Sequence, residues 1–220
     1  MSEFILMLTL NDMTVPNAME LYQELRQTGI KFFGFKDIGL PQAELKKLVE
    51  AMHADGHEVF LEVVSATAED ELTSARAAVA IGVDYLIGGT QIAGVKPIIA
   101  GTGMKYFPYV GQIVGHPCLL RGELNWLVEE AKKAEAMGID GINLLAYRWD
   151  GDVNLLVDSI MEAVSIPLIC AGSVDRISRV KDLAERGVWA FTIGGAVLQK
   201  VIVPGDMKDQ VAATLEACKA

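Results

Sequence analysis

The sequence predicts an α/β protein built as a single (β/α)8 barrel over residues 1–220, and three observations carry that prediction. Eight short apolar runs alternate with amphipathic stretches along the whole chain. The runs are nearly continuous in hydrophobicity, as parallel strands covered on both faces require. A glycine recurs where an amphipathic stretch meets the next run, at Gly29, Gly82, Gly138 and Gly187, which are 53, 56 and 49 residues apart. Each interval is about two strand-helix units, the echo expected of a barrel assembled from repeated quarters. Glycine enters the left-handed backbone region cheaply, which is what a helix end needs. The other arrangement of parallel strands is an open doubly wound sheet. It ranks second, because no nucleotide fingerprint follows the first run.

The elements follow in order. Residues 4–10, 31–35, 58–64, 84–87, 105–110, 141–146, 167–171 and 190–193 read as strands 1 to 8. Helices are expected over 17–28, 42–55, 68–81, 123–137, 154–164 and 177–186, with 207–218 closing the chain. The Gly-rich stretch 88–103 replaces the ordinary helix after strand 4. It reads as a loop with a short helical piece over 91–100 that borders the ligand end of the barrel. No linker divides the chain.

Composition narrows the function classes. The 220 residues are 51% hydrophobic and 22% charged, so a packed core is affordable and disorder is excluded. Lys and Arg number 19 against 29 Asp and Glu, a net charge of −10. Such a chain has no general electrostatic reason to seek nucleic acid or an anionic membrane. Cys118, Cys170 and Cys218 are few and scattered, which suits a reducing cytosol rather than a disulfide scaffold. His53 and His57 are separated by Gly56 and have no nearby cysteine, so no zinc site is expected. The first apolar run is short, is preceded by Glu3 and is broken by Asn11-Asp12, so it reads as a strand and not as an export signal. No run reaches the roughly 18 to 20 apolar residues of a membrane span. The expected location is cytoplasmic.

Parallel barrels meet their ligands at the C-terminal ends of the strands. Strand 7 ends in Ala171-Gly172-Ser173 and strand 8 in Ile193-Gly194-Gly195-Ala196. Glycines let backbone N–H groups approach an anion, and a following helix start adds partial positive charge. Two such neighbouring loops can hold a phosphate without Lys or Arg, which reconciles anion binding with an acidic chain.

Two segments, Pro-Leu-Ile-Cys-Ala-Gly-Ser-Val from Pro167 and Gly-Val-Trp-Ala-Phe-Thr-Ile-Gly-Gly-Ala-Val from Gly187, resemble the phosphate-binding half of the ribulose-phosphate-binding barrel superfamily. That superfamily includes the histidine-biosynthesis isomerase and cyclase barrels and the N-acetylmannosamine-6-phosphate epimerases. The resemblance implies a TIM barrel whose loops after strands 7 and 8 bind a substrate phosphate through Gly172, Ser173, Gly194 and Gly195. It does not carry a complete catalytic set. The epimerases place an acid where Ala171 stands, the isomerase uses an acid after strand 5 that is missing here, and strand 3 lacks the decarboxylases' Asp-x-Lys-x-x-Asp.

Ionised groups inside apolar runs are expensive unless paired, solvated or functional. Glu62 lies within strand 3, Lys36 and Asp37 end strand 2, and Asp12 follows strand 1. Neighbouring strands would gather Lys36, Glu62 and Asp12 on one side of the barrel mouth. In the functional reading Glu62 is a general base, Lys36 stabilises an enediolate oxygen and Asp12 is a second acid/base. In the plain reading Lys36 and Glu62 are an ion pair filling the lumen. Asp37 reads as a turn or cap residue. After strand 6, Arg148 could grip a carboxylate or second phosphate and Tyr147 or Trp149 could pack on a sugar face, or the three could anchor a loop. His116 follows strand 5 beside Pro117 and reads as structural. Lys105 falls at the wrong end of strand 5 for catalysis.

The expected activity is isomerisation or epimerisation of a small phosphorylated sugar or sugar acid by proton transfer next to a carbonyl. The runner-up is an aldolase- or decarboxylase-type lyase, with Lys36 as a Schiff-base amine or through an enediolate. The third reading is a non-catalytic sensor of a phosphorylated metabolite. No redox cofactor or built-in metal is implied. Asp12 and Glu62 with water would suit Mg²⁺, although their spacing does not demand it. A homodimer through a helical face is compatible with the fold.

Overall fold

The computed structural model describes residues 2–64 and 67–219. Eight parallel strands, β1 (Glu3–Met7), β2 (Phe32–Lys36), β3 (Glu58–Val63), β4 (Tyr85–Gly88), β5 (Lys105–Phe107), β6 (Ile142–Leu144), β7 (Leu168–Cys170) and β8 (Ala190–Ile193), form one sheet. Its order is β6-β7-β8-β1-β2-β3-β4-β5. The two ends of that order meet. The Asp140 N–H donates to Tyr106 O at 3.0 Å and the Asn143 N–H to Pro108 O at 2.9 Å. Tyr109 bridges to Asn143 across the same seam, which closes the barrel.

Parallel neighbours need crossover connections, and helices supply them. These are α1 (Ala18–Leu25), α2 (Gln42–Ala54), α3 (Ala68–Ile81), α4 (Ile92–Ile99), α5 (Leu124–Ala136), α6 (Val153–Ala163) and α7 (Ile177–Glu185). The short α8 (Gly195–Leu198) and α9 (Met207–Ala217) follow β8. Among the described residues no helix is long and apolar enough to cross a membrane. All four joint glycines are left-handed, with φ of 88°, 83°, 71° and 79° at Gly29, Gly82, Gly138 and Gly187. Side chains of Thr67, Asp152 and Asp206 cap α3, α6 and α9. For α4 a distant group does this work. Glu71 of α3 accepts the Thr90 and Gln91 N–H groups at 2.9 and 2.7 Å. Burial pushes its carboxyl above the usual range against those two donors.

The period-two alternation of each strand builds two cores. Phe4, Leu6, Phe33, Phe35, Val59 and Leu61 face the helices, in the larger core. Ile5, Met7, Phe32, Phe60, Ile87, Phe107 and Ile169 face the lumen. Phe60 stacks on Tyr85 at a centroid separation of 4.0 Å, and Trp189 stacks on Phe107 at 5.2 Å. Gly34 makes room for this packing: a Cβ there would sit 2.5 Å from Met7 Sδ. Each large side chain buried this way contributes roughly 1.5–3 kcal/mol. The aromatic plug fills the N-terminal part of the lumen and leaves polar residues at the C-terminal end.

Two segments differ from the expected elements. The run 4–10 is not one strand: β1 ends at Met7, and Thr9–Leu10 pairs antiparallel with Met13–Thr14. Asn11 and Asp12, with φ of 51° and 58°, form the two-residue turn between them. The run 105–110 stops at Phe107, because Pro108 cannot donate to the ladder. Beyond it an unexpected second hairpin pairs Gln112–Val114 with Leu119–Arg121 and carries the cis His116–Pro117 bond at its tip. α1 is a turn shorter than the expected 17–28. The stretch 88–103 contains α4, as expected, but contributes no residue to the cavity described below.

Candidate active site

A cavity of about 640 Å³ opens at the C-terminal end of the barrel, between the two hairpins and the loops after β7 and β8. Lys36 ends β2 on the inward face, and the β2–β3 register sets it directly beside Glu62. Each is only 5% exposed. Asp12 arrives from the first hairpin, which is riveted to β2. Thr14 Oγ1 donates to Lys36 O at 2.8 Å and accepts the Lys36 N–H at 2.9 Å.

The three groups meet. Lys36 Nζ donates to Asp12 Oδ1 at 2.5 Å and lies 3.4 Å from Glu62 Oε2. Glu62 Oε1 accepts from Tyr109 OH at 2.7 Å and from Asn143 Nδ2 at 3.4 Å. Arg148 Nη1 stands 3.6 Å from Asp12 Oδ2. That oxygen is buried and accepts no hydrogen bond among the described residues. Burial alone would raise the Asp12 carboxyl, but the hydrogen bond and charge of Lys36, then the charge of Arg148, hold it below its ordinary value. Burial alone would lower the Lys36 ammonium. The charge of Glu62 and the bond to Asp12 outweigh that and hold it above its ordinary value. Tyr109 is pushed well up by burial and by Glu62, so it remains a proton donor. The two carboxylates named as Mg²⁺ ligands thus face an ammonium group rather than a shared open position.

The opposite wall is backbone. Gly172 and Ser173 both have positive φ, 74° and 58°, and Gly195 opens α8. A Cβ on Gly194 would lie 2.7 Å from Thr9 Oγ1 and 3.0 Å from Met7 O, so the first hairpin rests on a bare backbone. A Cβ on Gly172 would lie 2.5 Å from Arg148 Nε. Arg148 therefore spans the gap between Asp12 and the loop after β7, and these loops have an arginine beside them after all.

Other expected residues go elsewhere. Tyr147 does not line the cavity; its hydroxyl donates to Asp182 Oδ2 at 3.4 Å and Arg179 packs over its ring. Trp149 anchors its loop by donating to Gly122 O at 2.9 Å. Ser74 donates to Asp37 Oδ2 at 2.5 Å, which ties that carboxylate to α3. Lys105 pairs with Asp140 at 3.0 Å and His53 with Asp84 at 2.8 Å, both away from the cavity. His116, read as structural, does line the cavity together with Pro117. Sequence reasoning missed Tyr109 and Asn143. Both were findable: Tyr109 continues the inward face of Lys105 and Phe107, and Asn143 is a lone amide inside an apolar run.

The class these features define is a (β/α)8 barrel with a polar cluster and glycine loops at one mouth. The known proteins it is similar to agree. A curated protein of Enterobacter sp. (strain 638), named "Putative N-acetylmannosamine-6-phosphate 2-epimerase", is 28% identical over 126 residues. That match spans about half of each chain, 52% of this one and 52% of the relative. No family model matches. Among solved structures, orotidine 5'-phosphate decarboxylase from Pyrococcus horikoshii OT3 superposes with a TM-score of 0.72 at 14% identity, covering 99% of both chains. The 3-keto-L-gulonate-6-phosphate decarboxylase of Vibrio cholerae gives 0.72 at 14%, over 99% of this chain and 97% of the other. The N-acetylmannosamine-6-phosphate 2-epimerase of Clostridium perfringens gives 0.66 at 13%, over 97% and 92%. At these identities the solved structures establish the fold alone.

Proposed function

We propose that this chain is an isomerase or epimerase that moves a proton next to the carbonyl of a small phosphorylated sugar. The observation that carries the reading is Lys36 held between Asp12 and Glu62 at one wall of a cavity whose other wall is Gly172–Ser173 and Gly194–Gly195. The phosphate sits on the backbone N–H groups of those glycine loops, with Arg148 at its side. Lys36, as an ammonium, polarises the carbonyl and stabilises the enediolate oxygen. Tyr109 and Asn143 occupy Glu62 Oε1, which leaves Oε2 as the oxygen that turns to the substrate as general base. Asp12 is the second acid/base. The similarity, over about half of each chain, to a protein named as a "Putative N-acetylmannosamine-6-phosphate 2-epimerase" supports this reaction class.

A Schiff-base lyase needs Lys36 as a free amine. Two carboxylates within 3.4 Å hold it protonated instead, which ranks that reading second. Incubation in D₂O with a panel of phosphorylated aldoses, ketoses and N-acylated hexosamines is the test. Deuterium should enter at the carbon next to the carbonyl, and Glu62→Gln and Lys36→Met should abolish entry. Borohydride trapping of a substrate adduct on Lys36 would favour the lyase. Ligand binding without exchange across the panel would favour the sensor.

A further inference from the structure

We propose that the wall formed by Lys36, Glu62, Asp12 and Arg148 selects an uncharged, hydroxyl-bearing tail, so that the ligand is a neutral sugar phosphate and not a phosphorylated sugar acid. The inference rests on the phosphate reading of the glycine loops and narrows what the remainder of the ligand can be.

Charge balance is the first ground. Lys36 and Arg148 are the Lys and Arg side chains in the cavity lining, and neither is left over. Lys36 is matched by Asp12 at 2.5 Å and Glu62 at 3.4 Å, and Arg148 by Asp12 at 3.6 Å. Two cations face two anions, so these four side chains balance one another; the other titratable lining groups are His116 and Asp175. A carboxylate on the ligand would be a third anion in a place where Lys36, Glu62 and Asp12 are almost wholly buried. An added unmatched charge there loses its hydration without gaining a partner. The remaining lining carboxylate, Asp175, is matched by Arg176 at 2.8 Å and Arg179 at 3.1 Å, neither of which lines the cavity.

Hydrogen-bond arithmetic points the same way. Among the described residues, the buried oxygen of this wall without a donor is Asp12 Oδ2. A ligand atom that comes within reach of it must donate. A hydroxyl or an amide N–H can do so, and a carboxylate cannot. Lys36 has three N–H donors and spends them on Asp12 and, more weakly, on Glu62, so one carbonyl or hydroxyl oxygen still finds a donor.

Glucitol 6-phosphate and 6-phosphogluconate form a matched pair: equal chain length, with a terminal hydroxymethyl in one and a carboxylate in the other. Binding of each, and of inorganic phosphate, is measured by calorimetry on the wild-type protein and on Glu62→Gln. The expected result is binding of the polyol phosphate at least about tenfold tighter than the acid, about 1.4 kcal/mol. Glu62→Gln should erase or invert that preference, because it leaves one cation unmatched. Equal or tighter binding of 6-phosphogluconate to wild type overturns the inference while leaving the phosphate site standing. So does a preference that Glu62→Gln leaves unchanged, since shape rather than charge would then be selecting. Failure of all three compounds to bind removes the phosphate reading and this inference with it.

Discussion

Lys36 is a cation that two carboxylates have made hard to discharge. Truncation to Lys36→Met leaves Asp12 and Glu62 buried without it, and breaking a buried pair in this way costs about 3–5 kcal/mol. The pH dependence has a definite sign. Asp12 lies below its ordinary 3.8, so its contribution is complete above that pH and fades as acid carries it through its native value. Lys36 lies above its ordinary 10.5, so its contribution is complete below that pH and fades as alkali carries it through its native value. Urea unfolding of wild type and Lys36→Met should therefore differ most through the neutral range and converge toward both extremes. A constant difference across pH would show that packing, not charge, sets the loss. Tyr109→Phe is a milder probe. It strips a 2.7 Å donor from a buried carboxylate, with an expected cost of about 1–3 kcal/mol in the same assay. Substrate turnover should fall as well, because Glu62 Oε1 is freed to rotate.

The first hairpin is the element on which Asp12 depends. Asn11 sits at φ 51°, a conformation that costs most L-residues roughly 1–2 kcal/mol and that asparagine tolerates through its short polar side chain. Asn11→Gly should leave stability within a few tenths of a kcal/mol and preserve activity. Asn11→Val should lose about 1–2 kcal/mol and most activity, because the turn opens and Asp12 swings away from Lys36. Thermal melts and the deuterium-exchange assay check both. This element also marks the limit of what the sequence reveals. The strand-helix rhythm and the four glycine joints were readable because burial on both faces and a left-handed helix end leave signals in single residues. The gathering of Lys36, Glu62 and Asp12 was readable because ionised groups stand out in apolar runs. Both hairpins were not, since paired strands of two or three residues are too short to carry a period. Thr9-Leu10 merely extended the apolar run of β1, and the second hairpin pairs only Gln112–Val114 with Leu119–Arg121. Tyr147 and Arg148 are adjacent in sequence, but the 3₁₀ turn Ala146–Arg148 sends one outward to Asp182 and the other inward to Asp12.

At the scale of the whole molecule, the proposed function asks a protein of net charge −10 to hold a dianion. Its long-range field opposes the ligand, so capture must come from donors at contact distance, where oriented N–H groups act without any net charge. In the proposed function the barrel separates that task from the chemistry: amides after β7 and β8 on one wall, titratable groups from β2, β3 and the first hairpin on the other. Substitutions should separate in the same way. Gly195 is the position that tests this. A Cβ there meets Leu10 Cδ1 at 3.4 Å and Gln199 Oε1 at 3.9 Å, so a side chain fits, and its backbone is not left-handed. An acidic residue at a helix start is, if anything, favourable to the fold. Gly195→Asp should accordingly keep the melting temperature while placing a carboxylate in the proposed phosphate site. KM should rise by about thirtyfold or more, equivalent to about 2 kcal/mol of lost binding, with kcat at saturation little changed. Lys36→Met should do the reverse, with kcat collapsing and inorganic phosphate binding retained. If Gly195→Asp leaves KM where it was, the phosphate is not held at α8, and the acid/base wall would have to be re-read without a fixed direction for the substrate.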